Sequence, residues 1–281
     1  MKLKEIDFIE RINLFLETIY YDGERHANTI LFEYDPSYPR VYKIDASNTI
    51  KCIENLTKIF LFFQSECEIL IKFKLANYNT NRILFNILIS SSERLKEFDQ
   101  ELLNAAKEYG DKAGIIIRQD KNGNFILDIE VELASDAQPT KSLDINNQAI
   151  KNYNAIIAYD NKNGFKILSN QLKFIGINVK PSSDYESLKQ HITDAIYNPD
   201  LVFVQKVFLE DEQNLNELLK FKKMKYFCIV AICETDEIFK PEIKQELIIL
   251  REPYSYDILR AVLDMCYERK ERVRGRVLNN S

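Results

Sequence analysis

The sequence holds no Gly-x-Gly, so no dinucleotide-binding fingerprint can be drawn on it. With 7 Gly and 7 Pro in 281 residues, low-complexity stretches have little room. Its 5 cysteines, Cys52, Cys67, Cys228, Cys233 and Cys266, form no Cys-x-x-Cys pair. An odd count in mostly apolar surroundings fits free thiols in a reducing cytoplasm and argues against a disulfide scaffold or a zinc site. The 2 histidines, His26 and His191, are isolated. No apolar run approaches a membrane span, and the charged start lacks the apolar core of a signal peptide. A basic surplus is missing too: 38 Lys and Arg against 43 Asp and Glu give a net charge of −5, which argues against nucleic acid as a partner. The one basic stretch, from Arg269 to Arg276, reads as a solvated helix end with cations near the negative pole.

What is present suits a soluble globular protein: 46% hydrophobic and 29% charged residues, on a chain long enough for two ordinary domains. Ile6, Ile9, Ile12 and Ile19 recur at helical spacing over Lys4 to Tyr20, and Asp22-Gly23 is expected to break that helix. Thr29 to Tyr34 reads as a strand. Asp45 or Ser47 can cap a helix running to about Phe63. Glu68 to Leu75 alternates like a strand, and Arg82 to Ser90 follows as another. Glu93 to Tyr109 is expected to be a helix ended by Gly110. Gly114 to Arg118 and Phe125 to Leu133 form a hairpin across Asn122-Gly123. Residues 1–133 thus read as an α+β sandwich with a mostly antiparallel sheet. Residues 134–152 are polar and aperiodic and read as a linker.

The remainder alternates regularly. Apolar strands at Ala155 to Tyr159, Ile177 to Val179, Leu201 to Gln205, Phe227 to Ile232 and Leu247 to Leu250 are separated by helices at Lys162 to Phe174, Ser183 to Tyr197 and Gln213 to Phe221, and a short one at Pro241 to Gln245. A last helix runs from Ser255 to Arg269, and residues 271–281 are left as a tail. Five such strands predict an α/β, doubly wound, parallel five-stranded sheet over residues 153–270. The run Leu201-Val202-Phe203-Val204 is wholly apolar, as a strand buried on both faces should be. It ends at Gln205, where an open α/β sheet keeps its working site. An amide there is neither nucleophile nor base.

This half resembles a response-regulator receiver domain. Ala158-Tyr159-Asp160-Asn161 with Lys166-Ile167-Leu168 is similar to that family's acidic first loop and helix. Pro199-Asp200-Leu201-Val202-Phe203-Val204 is similar to its third strand, and Arg251-Glu252-Pro253 to the Lys-Pro after its fifth. A flavodoxin is the alternative of the same shape, but Asp160-Asn161-Lys162-Asn163-Gly164 makes a poor phosphate loop. The receiver resemblance implies an aspartate acceptor, an acid pair for magnesium, a hydroxyl and a lysine. Here Gln205 stands for the acceptor and Tyr159 for one acid. Asp160 remains of the pair, as a metal ligand or as a cap for the following helix. Cys233 stands for the hydroxyl and Glu252 for the lysine. A magnesium site with one carboxylate is weak, and Glu252 would repel a phosphoryl group.

The first half resembles the ATP-binding domain of a sensor histidine kinase. Asp45-Ala46-Ser47 to Ile53-Glu54-Asn55-Leu56 is similar to the entry of that family's asparagine-bearing helix, with Asn55 as the first asparagine. The second, which holds magnesium, is replaced by Ile59. In Ile87-Leu88-Ile89-Ser90-Ser91-Ser92 the family's Asp-x-Gly is expected, but Ile89 stands for the aspartate that reads adenine and Ser91 for the glycine. Ser92 leads almost at once towards the next helix, so the glycine-rich lid reads as deleted. The helical domain bearing a phosphorylated histidine is expected before residue 5 and is not found there; His26 reads as an ordinary surface residue. The two resemblances imply a degenerate hybrid kinase, cytoplasmic and bacterial, with no cofactor and with protein partners. An active kinase or relay component is one alternative. A small-molecule sensor using a cleft lined by Ile59, Phe62 and Ile89 is another. Tyr153, Tyr159, Tyr254 and Tyr256 are candidates for an aromatic contact surface.

Overall fold

The computed structural model describes residues 4–134, 148–234 and 239–279. The chain divides into two compact units, one holding the elements up to Leu133 together with Glu252–Ser255, and one holding the elements from Gln148 onward.

In the first unit β1 (Glu5–Asp7), β2 (Thr29–Glu33), β3 (Val41–Lys43), β4 (Glu68–Tyr78), β5 (Arg82–Ser91), β6 (Ile116–Gln119) and β7 (Phe125–Leu133) form a seven-stranded sheet of order β1-β3-β7-β5-β4-β2, with β6 also on β7. Among its pairs β2–β4 runs parallel and the rest antiparallel. Alternation puts Ile69, Ile71 and Phe73 of β4, Phe85, Ile87 and Ile89 of β5, and Phe125, Leu127 and Ile129 of β7 into one core. The helices α1 (Phe8–Arg25), α2 (Ala46–Phe63) and α3 (Gln100–Ala113) bury their apolar residues in that core. The opposite face carries cross-strand ion pairs, including Lys72–Glu33 at 2.5 Å, Arg82–Glu130 at 2.5 Å and Lys43–Glu132 at 2.7 Å. The α+β sandwich expected from the pattern is the fold observed.

Several boundaries differ. Residues 5–7 pair with β3 instead of starting a helix, and the Asp7 carboxylate caps α1 by accepting from the Ile9 and Glu10 amides at 3.0 and 3.1 Å. α1 runs through Asp22-Gly23 to Arg25. Gly23 faces β2 so closely that a methyl there would lie 2.7 Å from Ile30 Cδ1. α3 starts at Gln100, capped by Asp99, and continues past Gly110 to Gly114, whose φ of 71° closes it. Gly110 is kept small by packing, since a methyl there would meet Ile117 at 3.1 Å and Cys52 at 3.5 Å. β3 is too short for an alternation signal.

In the second unit β8 (Asn154–Ala158), β9 (Asn178–Ser182), β10 (Leu201–Gln205), β11 (Cys228–Cys233) and β12 (Leu247–Arg251) form an all-parallel sheet of order β12-β11-β10-β8-β9. Counted from the first strand this is the doubly wound order 2-1-3-4-5. The connecting helices are α4 (Lys162–Ile175), α5 (Tyr185–Thr193), α6 (Glu212–Lys225) and α7 (Pro241–Lys244), and α8 (Tyr256–Asn279) follows β12. Leu201 to Val204 and Cys228 to Cys233 are buried throughout, as strands covered on both faces must be. Gly176, at φ 101°, closes α4 where expected. α5 stops at Thr193, before the expected Tyr197, and α8 continues to Asn279 through most of the segment read as a tail. Of the expected linker, 135–147 lies outside the described residues, and Gln148–Asn152 forms a 3-10 turn. No helix among the described residues is long and apolar enough to cross a membrane.

Candidate functional site

The strand order fixes where a site can form in the second unit. β8 and β10 are neighbours whose connections leave in opposite directions, which opens a crevice beyond their carboxyl ends. Val204 is in register with Ala158, so Tyr159 and Asp160 leave β8 beside Gln205 at the end of β10. Gln205 pairs with Ile232, and Cys233 with Arg251, which brings Cys233 to the same sheet edge. Tyr159, Asp160, Gln205 and Cys233 therefore share one end of one sheet, while Glu252, next in the chain after β12, groups with the first unit.

Their chemistry is that of a tied-off crevice. The Gln205 side-chain oxygen accepts the Asp160 backbone N–H at 2.9 Å, bridging the two strands at the switch point. Asp160 itself is exposed, and it is not the helix cap. Asn161 is: its Oδ1 accepts the Gly164 amide at 2.8 Å. Tyr159 is buried and packs on the first turn of α4, where a methyl at Gly164 would lie 2.3 Å from its Cζ and Oη. Cys233 is buried at the end of β11, and Glu252, before a cis Pro253, is buried as well. Next to Gln205, Lys206 pairs with Glu234 at 3.3 Å. That pair was not visible in the sequence, because the two residues are adjacent only through the register of β10 on β11. The one local signal for the Tyr159 packing was a glycine three residues beyond the cap.

Tyr153, Tyr159, Tyr254 and Tyr256 are all buried. Tyr153 lies under the Lys270 ammonium, 4.8 Å from its ring centre, and Tyr256 packs edge-on against Phe174 at 5.9 Å.

In the first unit the four singled-out residues lie on α2 and β5, but they do not line an open cleft. Ile59 and Ile89 have no exposed surface and belong to the packed core. Phe62 points outward instead, 43% exposed, and lies 6.2 Å from the His26 ring. An apolar cleft lined by Ile59, Phe62 and Ile89 is thus overturned. Asn55 turns back on its own helix and donates to the Lys51 carbonyl at 2.7 Å. Ser91 caps the next connection: its hydroxyl accepts the Glu93 amide at 3.3 Å. Residues 92–99 are all that joins β5 to α3, and they are pinned. Leu95 is buried against the turn at Gly123, and Gln64 donates to the Glu93 carbonyl at 3.1 Å.

No protein-family model and no curated protein sequence matches the chain. Among solved structures, full-length ShkA in complex with AMPPNP is similar over 94% of the chain, with a TM-score of 0.63 at 13% identity. The fold is the one both halves predicted. The chain spans 57% of ShkA. The catalytic domain of the histidine kinase ThkA aligns over 47% of this chain and 98% of its own, at TM-score 0.35 and 14% identity. A response regulator receiver domain protein from Clostridium thermocellum aligns over 43% of this chain and 98% of its own, at TM-score 0.37 and 16% identity. At such identities the likeness is one of fold, an α+β kinase-like sandwich followed by a receiver-like parallel sheet.

Proposed function

We propose that this chain is a catalytically inactive relative of hybrid histidine kinases that acts through protein–protein contacts, as a scaffold or regulatory subunit in two-component-like signalling. The observation that carries this reading is the Gln205–Asp160 hydrogen bond. In place of an acceptor carboxylate, the switch point holds a neutral amide already engaged with the neighbouring loop. An amide oxygen does not form an acyl phosphate, and a single carboxylate beside it is a poor magnesium site. The Lys206–Glu234 pair supports the same reading, because the cation next to Gln205 in the chain is paired with its own carboxylate. In the first unit, core side chains at Ile59 and Ile89 stand where the resemblance calls for a metal ligand and an adenine reader. What remains for selection to act on is the outer surface of two well-packed units, and a protein partner is the class of ligand such a surface takes.

Two measurements test this on the full chain. Titration calorimetry with ATP and magnesium should give no heat of binding; a micromolar dissociation constant would overturn the inactive-ATPase reading. Incubation with acetyl phosphate and magnesium should leave no acid-labile adduct by intact mass, and an adduct would overturn the inactive-receiver reading.

A further inference from the structure

The amino end of the second unit's sheet, opposite the crevice, holds a feature that this function does not use. Cys228 opens β11 and Cys266 lies on α8. The Cys228 thiol lies 3.3 Å from the Cys266 carbonyl oxygen and donates to it. All five cysteines are free, and this pair meets across 38 residues of chain.

The two sulfurs differ in surroundings. Cys266 has no exposed surface, whereas Cys228 keeps 5%. A cation stands close by: Lys270, one turn beyond Cys266, forms an ion pair with Asp200 and has a side chain only 9% exposed. Asp200 is held just before β10, accepting the Asn154 amide at 2.8 Å, and its carbonyl accepts the Cys228 amide at 3.0 Å. The Cys266 side chain, with help from Lys270 and Arg269, lowers the pKa of Cys228. Burial, and then Cys228 beside it, pushes Cys266 up. Cys228, the less enclosed of the two residues, is thus the one suited to attack, and Cys266 the one to keep its proton.

We propose that Cys228 and Cys266 are a reversible dithiol–disulfide pair, a modification site that staples β11 to α8. The oxidant is a small peroxide. The Cys228 thiolate attacks one peroxide oxygen and breaks the O–O bond, giving a sulfenic acid and hydroxide, so sulfur is oxidised and peroxide reduced. The Cys266 sulfur then attacks the sulfenic sulfur; the S–O bond breaks, and its oxygen leaves as water with the thiol proton. A thiol reductant reverses the bond by exchange. β11 and α8 already bring the Cys228 sulfur against Cys266, and the disulfide requires it to turn from the carbonyl to the Cys266 sulfur, to about 2.05 Å.

The test uses the full chain, reduced and then treated with hydrogen peroxide, unfolded in N-ethylmaleimide and read by mass spectrometry without reduction. The expected result is three trapped thiols instead of five, a cross-linked peptide holding Cys228 and Cys266, and full recovery with dithiothreitol. Cys266→Ala should leave a sulfenic acid on Cys228 that dimedone captures. Five thiols still trapped, a bond between other cysteines, or Cys228 passing to sulfinic acid with Cys266 untouched would each overturn the proposal. The wild-type peptide map decides even if a variant fails to fold.

Discussion

Tyr159 fills the space into which Gly164 opens, and the two behave as one packing unit. Gly164→Ala should therefore destabilise the second unit by about 1–3 kcal/mol, because a buried ring must move to admit the methyl. With Tyr159→Ala already in place, the same change should be neutral or stabilising by up to about 1 kcal/mol, as alanine is the better helix former. Chemical denaturation of the four proteins gives the coupling, and additive effects would refute the contact. Gln205→Asp belongs to the same crevice. It restores an acceptor carboxylate but leaves Tyr159, Cys233 and Glu252 as they are. No phosphoryl adduct is expected from acetyl phosphate, and an adduct from that change alone would mean a more intact site than is argued here. Tyr159, Gln205 and Cys233 were legible because each ends or directly follows an apolar run. That Gln205 would be hydrogen-bonded, and that Asn161 would do the capping expected of Asp160, were not legible. Both depend on which strand lies alongside which.

The segment between β2 and β3 shows how an element can hide from pattern reading. The Tyr34 and Tyr42 hydroxyls lie 2.9 Å apart and each reaches the Pro39 carbonyl, at 2.7 and 2.6 Å. Their rings sit among Phe32, Phe73 and Phe85. Burial, above all, holds both hydroxyls protonated beyond the ordinary tyrosine range. In the unfolded chain they ionise near pH 10. A raised folded pKa means that this stabilisation is complete below about pH 10 and is lost as pH rises beyond it. Melting temperature should fall steeply as pH rises above about 10. Tyr42→Phe should cost about 1 kcal/mol at neutral pH and make that alkaline fall shallower; an unchanged slope would show that the pair does not govern it. Sequence alone marked Asp35-Pro36 as a turn but missed β3, since three residues with one buried ring carry no period. α3 was misplaced for a related reason. A glycine reads as a stop, yet Gly110 is required inside the helix by its neighbours Cys52 and Ile117, and Gly114 supplies the left-handed turn.

Each unit has its own core. Ile156, Val202, Val204, Ile229 and Ala231 of the parallel sheet pack with Leu188, Ile192, Leu215 and Leu218 of its helices. A fragment of residues 148–281 is therefore expected to be soluble and to melt in one cooperative transition by circular dichroism; a broad, non-cooperative melt would argue against the proposed division between residues 133 and 153. Hydrophobic periodicity was enough for the class of both units, because burial on one face or on two imposes a repeat that any such sheet must obey. It was enough as well to locate the crevice, since a parallel strand's carboxyl end is marked where its apolar run stops. Pairing lay beyond it. The order β12-β11-β10-β8-β9, the meeting of Gln205 with the Asp160 amide, the burial of Ile59 and Ile89 and the approach of Cys228 to Cys266 all join residues far apart in the chain. Such contacts are set by how whole elements fill a common volume, and a local pattern carries no record of which neighbour completes it.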